Sequence, residues 1–366
     1  LSTRKAIELN PNYSMAHSNL GIILRDLGKL QESEQPFRQS IELNPYYAEA
    51  HYNLGNIYID LGQVEEAELS TRKAIELNPD FASAHNNLGS IFAEAEKLQE
   101  AESSLRKAIE INPNSTKAHL NLGNVLISLG NLQEAEIYLR KAIELQPDFA
   151  NACFNLSYVE LLKGNYQYGL ENYEFRFKKE KPSLLHGNPK IKKVDSKKLK
   201  KGEKFLIVSE QGLGDTLQFM RYIPYLRNQG FDVSFSAQEK LHSLIKASSI
   251  DQHPLTPEEA IQISEGQWMP LLSLPRSLNV SPENPIIYES YIYSTKELNQ
   301  KWKMILSNEK QPIIGINWQG NQNAEKGSAE GRSLPLENFS SDASQNNVKL
   351  LSLQKGFGSD QLDHCS

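Results

Sequence analysis

Phe205-Leu-Ile-Val-Ser-Glu-Gln-Gly-Leu-Gly-Asp-Thr-Leu-Gln-Phe-Met-Arg221 decides how this 366-residue chain reads. Phe205 to Val208 is a short, unbroken apolar run, the pattern of a strand buried on both faces. Gly212 and Gly214 turn the chain. Asp215 is expected as a helix N-cap, and Leu217, Phe219 and Met220 open an amphipathic helix. Strand, glycine turn and helix N-terminus together make a ready site for anions or polar ligands. Upstream of this stretch the sequence repeats itself. Downstream it alternates between strand and helix patterns.

The upstream period is 34 residues. Asn44-Pro45, Asn78-Pro79, Asn112-Pro113 and Gln146-Pro147 keep that spacing, as do Asn19-Leu-Gly21, Asn53-Leu-Gly55, Asn87-Leu-Gly89 and Asn121-Leu-Gly123. Arg-Lys-Ala-Ile-Glu begins at Arg4, Arg72, Arg106 and Arg140. Leu-Gly, a later Ala (Ala67, Ala101, Ala135, with Ser33 in the first full repeat) and a closing Pro form the tetratricopeptide signature. Each unit is expected to be two helices joined by a turn such as Leu27-Gly-Lys29, with Pro45, Pro79, Pro113 and Pro147 ending the second helix. A lone helix pair cannot bury its apolar face, so neighbours stack into an α-solenoid. The reading is a half repeat (1–13), four full repeats (14–47, 48–81, 82–115, 116–149) and a degenerate fifth. The fifth keeps Asn155-Leu156 and Gly164 and then runs into Tyr166, Tyr168, Tyr173, Phe175 and Phe177, a cap or a docking surface for the next domain.

Two columns recur in the array. His17, His51, His85 and His119, with Cys153 fifth, fall at one position. Helices stacked about 8–10 Å apart cannot bring equivalent side chains to within about 2 Å of one metal ion, so packing explains this column. Asn19, Asn53, Asn87, Asn121 and Asn155 form the other, on the first helix of each repeat. Asn carries donors and acceptors together and suits gripping an extended peptide backbone. The other explanation of the column is a local cap or a bond between repeats. It resembles the asparagine ladder of protein O-GlcNAc transferase.

Residues 178–203 read as a basic linker. The span Lys178–Lys204 holds eleven Lys against Glu180, Asp195 and Glu203 and is broken by Pro182, Gly187 and Pro189. Beyond it, the strand from Phe205 feeds a helix expected over 215–228 with Pro224 kinking it. Phe231–Ser236 comes next as a second strand and Glu239–Ala247 as a second helix. Residues 250–266 are ambiguous, and Trp268–Pro275 reads as a strand end or loop at the sheet edge. Pro312–Trp318 and Val348–Gln354 are further strands. This alternation predicts a parallel, doubly wound sheet. The chain starts at Leu1 in mid-pattern and stops about 55 residues after the Pro312 strand starts, which reads as truncation at both ends.

Composition excludes several classes. The chain is 39% hydrophobic and 23% charged with a net charge of −6, a soluble globular balance that argues against general nucleic-acid binding. No apolar run is long enough for a membrane span. Only Cys153 and Cys365 are present, so no disulfide scaffold exists and a reducing compartment is expected. Residues 1–150 carry 13 Lys/Arg against 21 Asp/Glu, mildly favouring basic or polar polypeptide partners.

Glu210-Gln-Gly-Leu-Gly-Asp215, then Gln218-Phe219 and Arg221-Tyr222, resembles the N-terminal motif of glycosyltransferases with two Rossmann-like domains, the GT-B fold. Among these it is most similar to the ADP-heptose:lipopolysaccharide heptosyltransferase-like family, in its bacterial versions fused to tetratricopeptide repeats. Leu272-Ser-Leu-Pro275, Gly315-Ile-Asn-Trp-Gln-Gly-Asn321, Arg332-Ser333 and Ser352-Leu-Gln-Lys-Gly356 resemble its later landmarks, in order. The resemblance covers about 204–356 plus the repeats, and the layout is also similar to protein O-GlcNAc transferase, whose catalytic motifs are not matched.

The resemblance implies a repeat superhelix (1–177), the linker (178–203), an acceptor-side Rossmann-like domain (204–310) and the start of a donor-binding domain (311–366), incomplete. It implies transfer of a sugar from a nucleotide-sugar to an acceptor hydroxyl in the bacterial cytoplasm, with no cofactor and no metal, the repeats recruiting a polypeptide partner or acceptor. Asp215 matches the proposed base, with Glu210 as the alternative. Gly212 and Gly214 admit the acceptor. Arg332 and Lys355 are expected to hold the donor's phosphates, with Trp318 and Gln319 beside them. The competing expectation is a non-enzymatic scaffold with a degenerate transferase domain.

Overall fold

The structure, a computed structural model, describes residues 2–194, 202–210, 212–286, 289–316, 339 and 348–353. They divide into two compact units, one of residues 1–242 and 253–289, the other of residues 243–252 and 290–366.

The first unit opens with eleven helices. These are α1 (Ser2–Leu9), α2 (Ser14–Asp26), α3 (Leu30–Leu43), α4 (Ala48–Asp60), α5 (Val64–Leu77), α6 (Ala82–Glu94), α7 (Leu98–Ile111), α8 (Thr116–Ser128), α9 (Leu132–Leu145), α10 (Ala150–Leu162) and α11 (Tyr166–Tyr173). α1 falls within 1–13, α2 to α9 pair two by two across 14–149, and α10 and α11 follow. The reason is local. Between repeats, each Asn before Pro accepts the backbone N–H two residues on, as Asn44 Oδ1 does from Tyr46 at 3.2 Å and Asn112 from Asn114 at 3.1 Å, the side-chain turn that Asn favours. Within repeats, Gly28, Gly62 and Gly130 close the first helix at φ of 74°, 72° and 77°. Glu96 takes that place in the third full repeat at φ 60°.

The small residues of the first helices set the helix spacing. A Cβ on Gly89 would stand 2.5 Å from Leu105 Cγ, and one on Gly123 would stand 2.7 Å from Leu139 Cγ. The core is therefore built from Ala101, Leu105, Leu122, Ala135 and Leu139, all fully buried.

A short 3₁₀ turn, Glu174–Phe177, leaves α11. The sheet then assembles from β1 (Lys192–Lys193), β2 (Lys204–Val208), β3 (Asp232–Ser236) and β4 (Gln267–Pro270) in the order β1-β4-β2-β3, every pair parallel. β2 registers Phe205 on Val233 and Val208 on Ser236, and it registers Phe205 on Gln267 and Val208 on Pro270. β2 is central, and its Phe205–Val208 run is buried throughout, as an unbroken apolar strand requires.

Three expectations change here. The helix after β2 is two helices, α12 (Leu213–Phe219) and α13 (Tyr222–Asn228). Pro224 sits in the first turn of α13, where its missing N–H costs no hydrogen bond, so the break precedes it instead of falling on it. β4 lies between β1 and β2, not at the sheet edge, because Trp268 and Met269 are apolar enough to be buried on both faces. The basic stretch is not wholly a linker. Lys192–Lys193 add a strand to β4, Val194 is buried, and Lys193 Nζ lies 4.2 Å from the Phe177 ring centroid. The expected helix over 239–247 is α14 (Glu239–Ala247), and the ambiguous stretch holds α15 (Pro257–Gln262). Thr256 and Glu259 cap α15 reciprocally at 3.2 and 2.8 Å. α16 (Leu274–Ser277) ends this region.

In the second unit, α17 (Lys296–Ile305) precedes β5 (Ile313–Ile316) and β6 (Lys349–Ser352), which pair in parallel with Ile313 on Lys349. Ser248 Oγ accepts the Tyr293 N–H at 3.0 Å.

Candidate functional site

Two faces of the first unit carry the residues singled out by sequence. One is the row of first helices in the repeats. The histidine column is spent on packing: each Nε2 donates to the proline carbonyl six residues earlier, His17 to Pro11 at 2.8 Å, His51 to Pro45 at 3.1 Å, His85 to Pro79 at 2.9 Å and His119 to Pro113 at 2.8 Å. Burial pushes His51 below its ordinary pKa, against the pull of the Pro45 carbonyl.

The asparagine column bonds from one repeat to the previous one. Asn87 Nδ2 donates to Asn56 Oδ1. Asn121 Nδ2 donates to Asn86 Oδ1 and Ser90 Oγ, both at 3.0 Å. Asn155 Nδ2 donates to Asn124 Oδ1 at 2.6 Å. Three of the four acceptors, Asn56, Ser90 and Asn124, form a second column three residues after the first, visible in the 34-residue alignment only once the bonds point to it. Its other members are Ile22 and Tyr158. Ile22 offers Asn53 no acceptor, and among the described residues Asn19 and Asn53 make no such bond. Inter-repeat bonding therefore accounts for the amide donors of Asn87, Asn121 and Asn155. The Oδ1 atoms of Asn87, Asn121 and Asn155 have no protein partner among the described residues and stay available to a ligand.

The other face is where the array meets the sheet. Arg176, fully buried, sends Nε and Nη2 to the two carboxylate oxygens of Glu210, each at 2.9 Å. Nη2 also reaches Ser273 Oγ at 2.9 Å, and Nη1 reaches Glu174 Oε1 at 2.9 Å and the Tyr173 carbonyl at 3.1 Å. The Leu272 N–H donates to Glu210 Oε1 at 3.1 Å, and Ser273 Oγ donates to Glu174 Oε1 at 2.8 Å. The guanidinium is sandwiched between the Tyr173 and Phe177 rings, with centroids 4.6 and 4.2 Å away. Planar, permanently charged and five-donor, Arg suits such a buried hub. Burial works against both charges. The contacts outweigh it, so Arg176 stays above its ordinary pKa and Glu174 below its own.

This network joins three stretches far apart in sequence: the aromatic end of the fifth repeat, Glu210 at the start of the glycine turn, and Leu272-Ser-Leu-Pro275. It also corrects the expectation for Glu210. A general base must reach the acceptor's proton, and the Glu210 carboxylate has no exposure and is closed by Arg176 and Leu272. It anchors the turn instead. The aromatic cluster of the fifth repeat signalled a docking surface, but nothing in the sequence marked Arg176 as its centre.

Asp215 is only partly buried and sits three positions deeper in the helix than expected. Gly212 occupies the N-cap position of α12, with extended backbone, and its N–H donates to Asp215 Oδ2 at 3.0 Å. Among the described residues Asp215 Oδ1 has no partner. A Cβ on Gly214 would meet nothing within 4 Å, so the turn has open space at that position. Burial first, and then the Asp215 charge, pushes the Tyr158 phenol above its ordinary pKa, with Arg176 opposing. Tyr158 stacks edge-on against Phe154, with ring centroids 4.9 Å apart. A 380 Å³ cleft lined by Lys204, Asp232, Gln262 and Glu265 opens at the other ends of β2 and β3, away from Asp215. Trp318, Gln319, Arg332 and Lys355 lie outside the described residues.

Tetratricopeptide-repeat family models match residues 3–35, 21–62, 48–81 and 92–156. The N-terminal region is a tetratricopeptide-repeat solenoid. Among solved structures it resembles YrrB, a TPR protein with an unusual peptide-binding site (26% identity, 48% of this chain and 90% of that one, TM-score 0.41). It also resembles PilF of Pseudomonas aeruginosa (22%, 44% and 74%, TM-score 0.42) and a thermophilic TPR protein of Thermus thermophilus (24%, 46% and 91%, TM-score 0.40). No curated protein matches the chain. The tetratricopeptide array is a protein-interaction module, and the α/β part contributes a small parallel sheet. No helix among the described residues is long and apolar enough to cross a membrane.

Proposed function

We propose that the tetratricopeptide array holds an extended polypeptide along its asparagine column and that the attached α/β region transfers a sugar from a nucleotide-sugar to a hydroxyl on that polypeptide or on a group it carries. The observation that carries this reading is the Arg176–Glu210 hub. It fastens the last repeat to the turn that bears Asp215, so a partner held by the repeats stays within fixed reach of one carboxylate. Fixed reach is what makes a recruited acceptor react as if intramolecular.

In this reading Asp215 takes the acceptor proton through its unpartnered Oδ1, while the Gly212 N–H on Oδ2 holds the carboxylate's orientation. The open space at Gly214 receives the acceptor. Arg332 and Lys355, with Trp318 and Gln319, take the donor's diphosphate, where positive charge offsets the charge of the leaving group. The donor is a substrate, and the chemistry asks for no cofactor.

One observation favours a second reading, a non-enzymatic scaffold: the glycine turn spends Glu210 wholly on structure and half of Asp215 on helix capping. One experiment separates the two. The chain is incubated with a panel of radiolabelled UDP-, GDP- and ADP-sugars and a random peptide library, and label in peptide and free sugar are counted. Sugar transfer that falls at least about a hundredfold in Asp215→Asn supports the transferase reading. No transfer and no binding of any of the nucleotide-sugars leaves the scaffold. Transfer that survives Asp215→Asn removes Asp215 as the base.

A further inference from the structure

Two columns of the repeat array shrink together at one place. Three residues before the left-handed turn residue stand Arg25, Ile59, Ala93, Ile127 and Leu161 in successive repeats, and three residues earlier still stand Ile22, Asn56, Ser90, Asn124 and Tyr158. The third full repeat carries the smallest side chain in both columns. The packing does not close over the loss. A cavity of about 190 Å³ opens between α6 and α8 with α7 beneath it. Ala93, Leu98 and the buried Leu105 and Val125 make its apolar floor, and Ser90, Asn121, Asn124 and Ser128 its polar rim. Ile59 and Ile127, the equivalents of Ala93 in the neighbouring repeats, are both packed against the apolar cores, so the space here is what a missing isoleucine leaves.

The rim is polar and half used. Asn121 gives its Nδ2 to Asn86 and Ser90, and Asn124 Oδ1 accepts from Asn155. Among the described residues this leaves Asn121 Oδ1 and Asn124 Nδ2, an acceptor and a donor one helical turn apart, without protein partners. One peptide group offers the complementary pair.

We propose that this cavity is the specificity pocket of the array, taking one aliphatic or aromatic side chain of a polypeptide whose backbone lies on Asn121 and Asn124. The inference rests on the polypeptide-binding reading above and adds to it where the partner is selected and for what. Three observations fix the occupant. The floor is apolar and the volume exceeds the roughly 150 Å³ in which a benzene-sized group fits. The rim offers amide groups matched to a backbone and not to a charged head. The excess of acidic over basic residues in 1–150, 21 against 13, favours a segment whose flanking residues are neutral or basic. The asparagine column is common to all repeats and reads no sequence, whereas the Ser90 and Ala93 pair that opens the pocket occurs only in the third full repeat and so sets register.

The test fills the pocket with the array's own residue. Random dodecapeptides displayed on phage are selected on the intact chain, and the tightest is synthesised with a fluorophore for polarisation titration. The expected result is an apolar residue at one fixed position of the selected peptides, with affinity lowered at least about tenfold by Ala93→Ile and also by Asn121→Ala. The thermal midpoint of Ala93→Ile should equal or exceed that of the parent, since isoleucine is native at 59 and 127. Replacing the peptide's apolar residue with Ser should cost the parent the same factor and cost Ala93→Ile nothing further. If Ala93→Ile melts lower, Ser90→Asn, the residue of 56 and 124, replaces it as the filling variant. Binding that falls in Asn121→Ala but holds in both filled variants overturns the pocket and leaves the column standing. No binder, or one indifferent to Asn121→Ala and Asn155→Ala as well, overturns both.

Discussion

Glu96 sits at φ 60° where the other repeats place glycine at 72° to 82°. A Cβ in that region costs roughly 1–2 kcal/mol, and glycine returns part of this through its freer unfolded chain. Glu96→Gly should therefore raise stability by about 0.5–1 kcal/mol, and Gly62→Ala, whose Cβ meets no atom, should lower it by about 1 kcal/mol. Urea midpoints at unchanged slope would show both; equal midpoints for Glu96→Gly and the parent would mean the turn carries no strain. Glu174 gives a pH signature. Its folded pKa lies below the ordinary value of 4.5 because Arg176, Arg276 and Ser273 overcome the burial that alone would raise it. A depressed folded pKa adds stability that is present above the ordinary value and is lost as pH falls from there through the folded one. Glu174→Gln should flatten the fall in thermal midpoint below about pH 4.5 and leave the slope above it unchanged.

At the scale of the helix pair, Gly89 tests a different cause. Its φ is ordinary, and what forbids a side chain is Leu105, 2.5 Å from the Cβ site. Gly89→Ala must push α6 from α7, so it should cost about 1–3 kcal/mol despite alanine's better helix propensity. The double variant Gly89→Ala with Leu105→Ala should recover less than the cavity term alone predicts only if the helices have shifted. These pairs were legible in the sequence because a period of 34 writes the same solution four times, and Leu-Gly, Asn-Pro and the closing Pro each act within a few residues. The start of α15 is equally local, since Thr256-Pro-Glu-Glu259 is a capping box, but no apolar period comes after it to mark a helix. The illegible part is non-local. Nothing near Trp268 tells that β4 lies inside the sheet, and nothing near Glu210 tells that a residue 34 positions earlier will bury its carboxylate. Gly212 taking the N-cap from Asp215 is a near miss of three residues, because both residue types favour that end of a helix.

At the scale of the molecule, the Arg176 hub decides whether the solenoid and the sheet behave as one body. Arg176, Glu210, Glu174 and Arg276 together are neutral, and the first two have no exposure. Removing one member of a buried pair leaves a charge with neither water nor partner, at about 3–5 kcal/mol, while removing both members is far milder. Arg176→Met should therefore loosen the junction more than any surface change. The chain has three tryptophans, at 268, 302 and 318. With Trp302→Phe and Trp318→Phe as background, Trp268 reports on the sheet and helical circular dichroism reports mainly on the repeats. In that background both signals should melt at one midpoint. Adding Arg176→Met should split them, Trp268 falling first, because the repeats keep their own stacked core and the sheet loses the contact that closes its glycine turn. Adding Glu210→Met to Arg176→Met should bring the two midpoints back toward each other, since the stranded carboxylate is gone. If Arg176→Met moves both midpoints together by less than a few degrees, the junction is held by the aromatic packing of Phe154, Tyr158, Tyr173 and Phe177, and the ion network is only its filling. That outcome would also weaken the case that a partner on the repeats is presented to Asp215 at fixed reach, because the fixing would then rest on a softer, sliding contact.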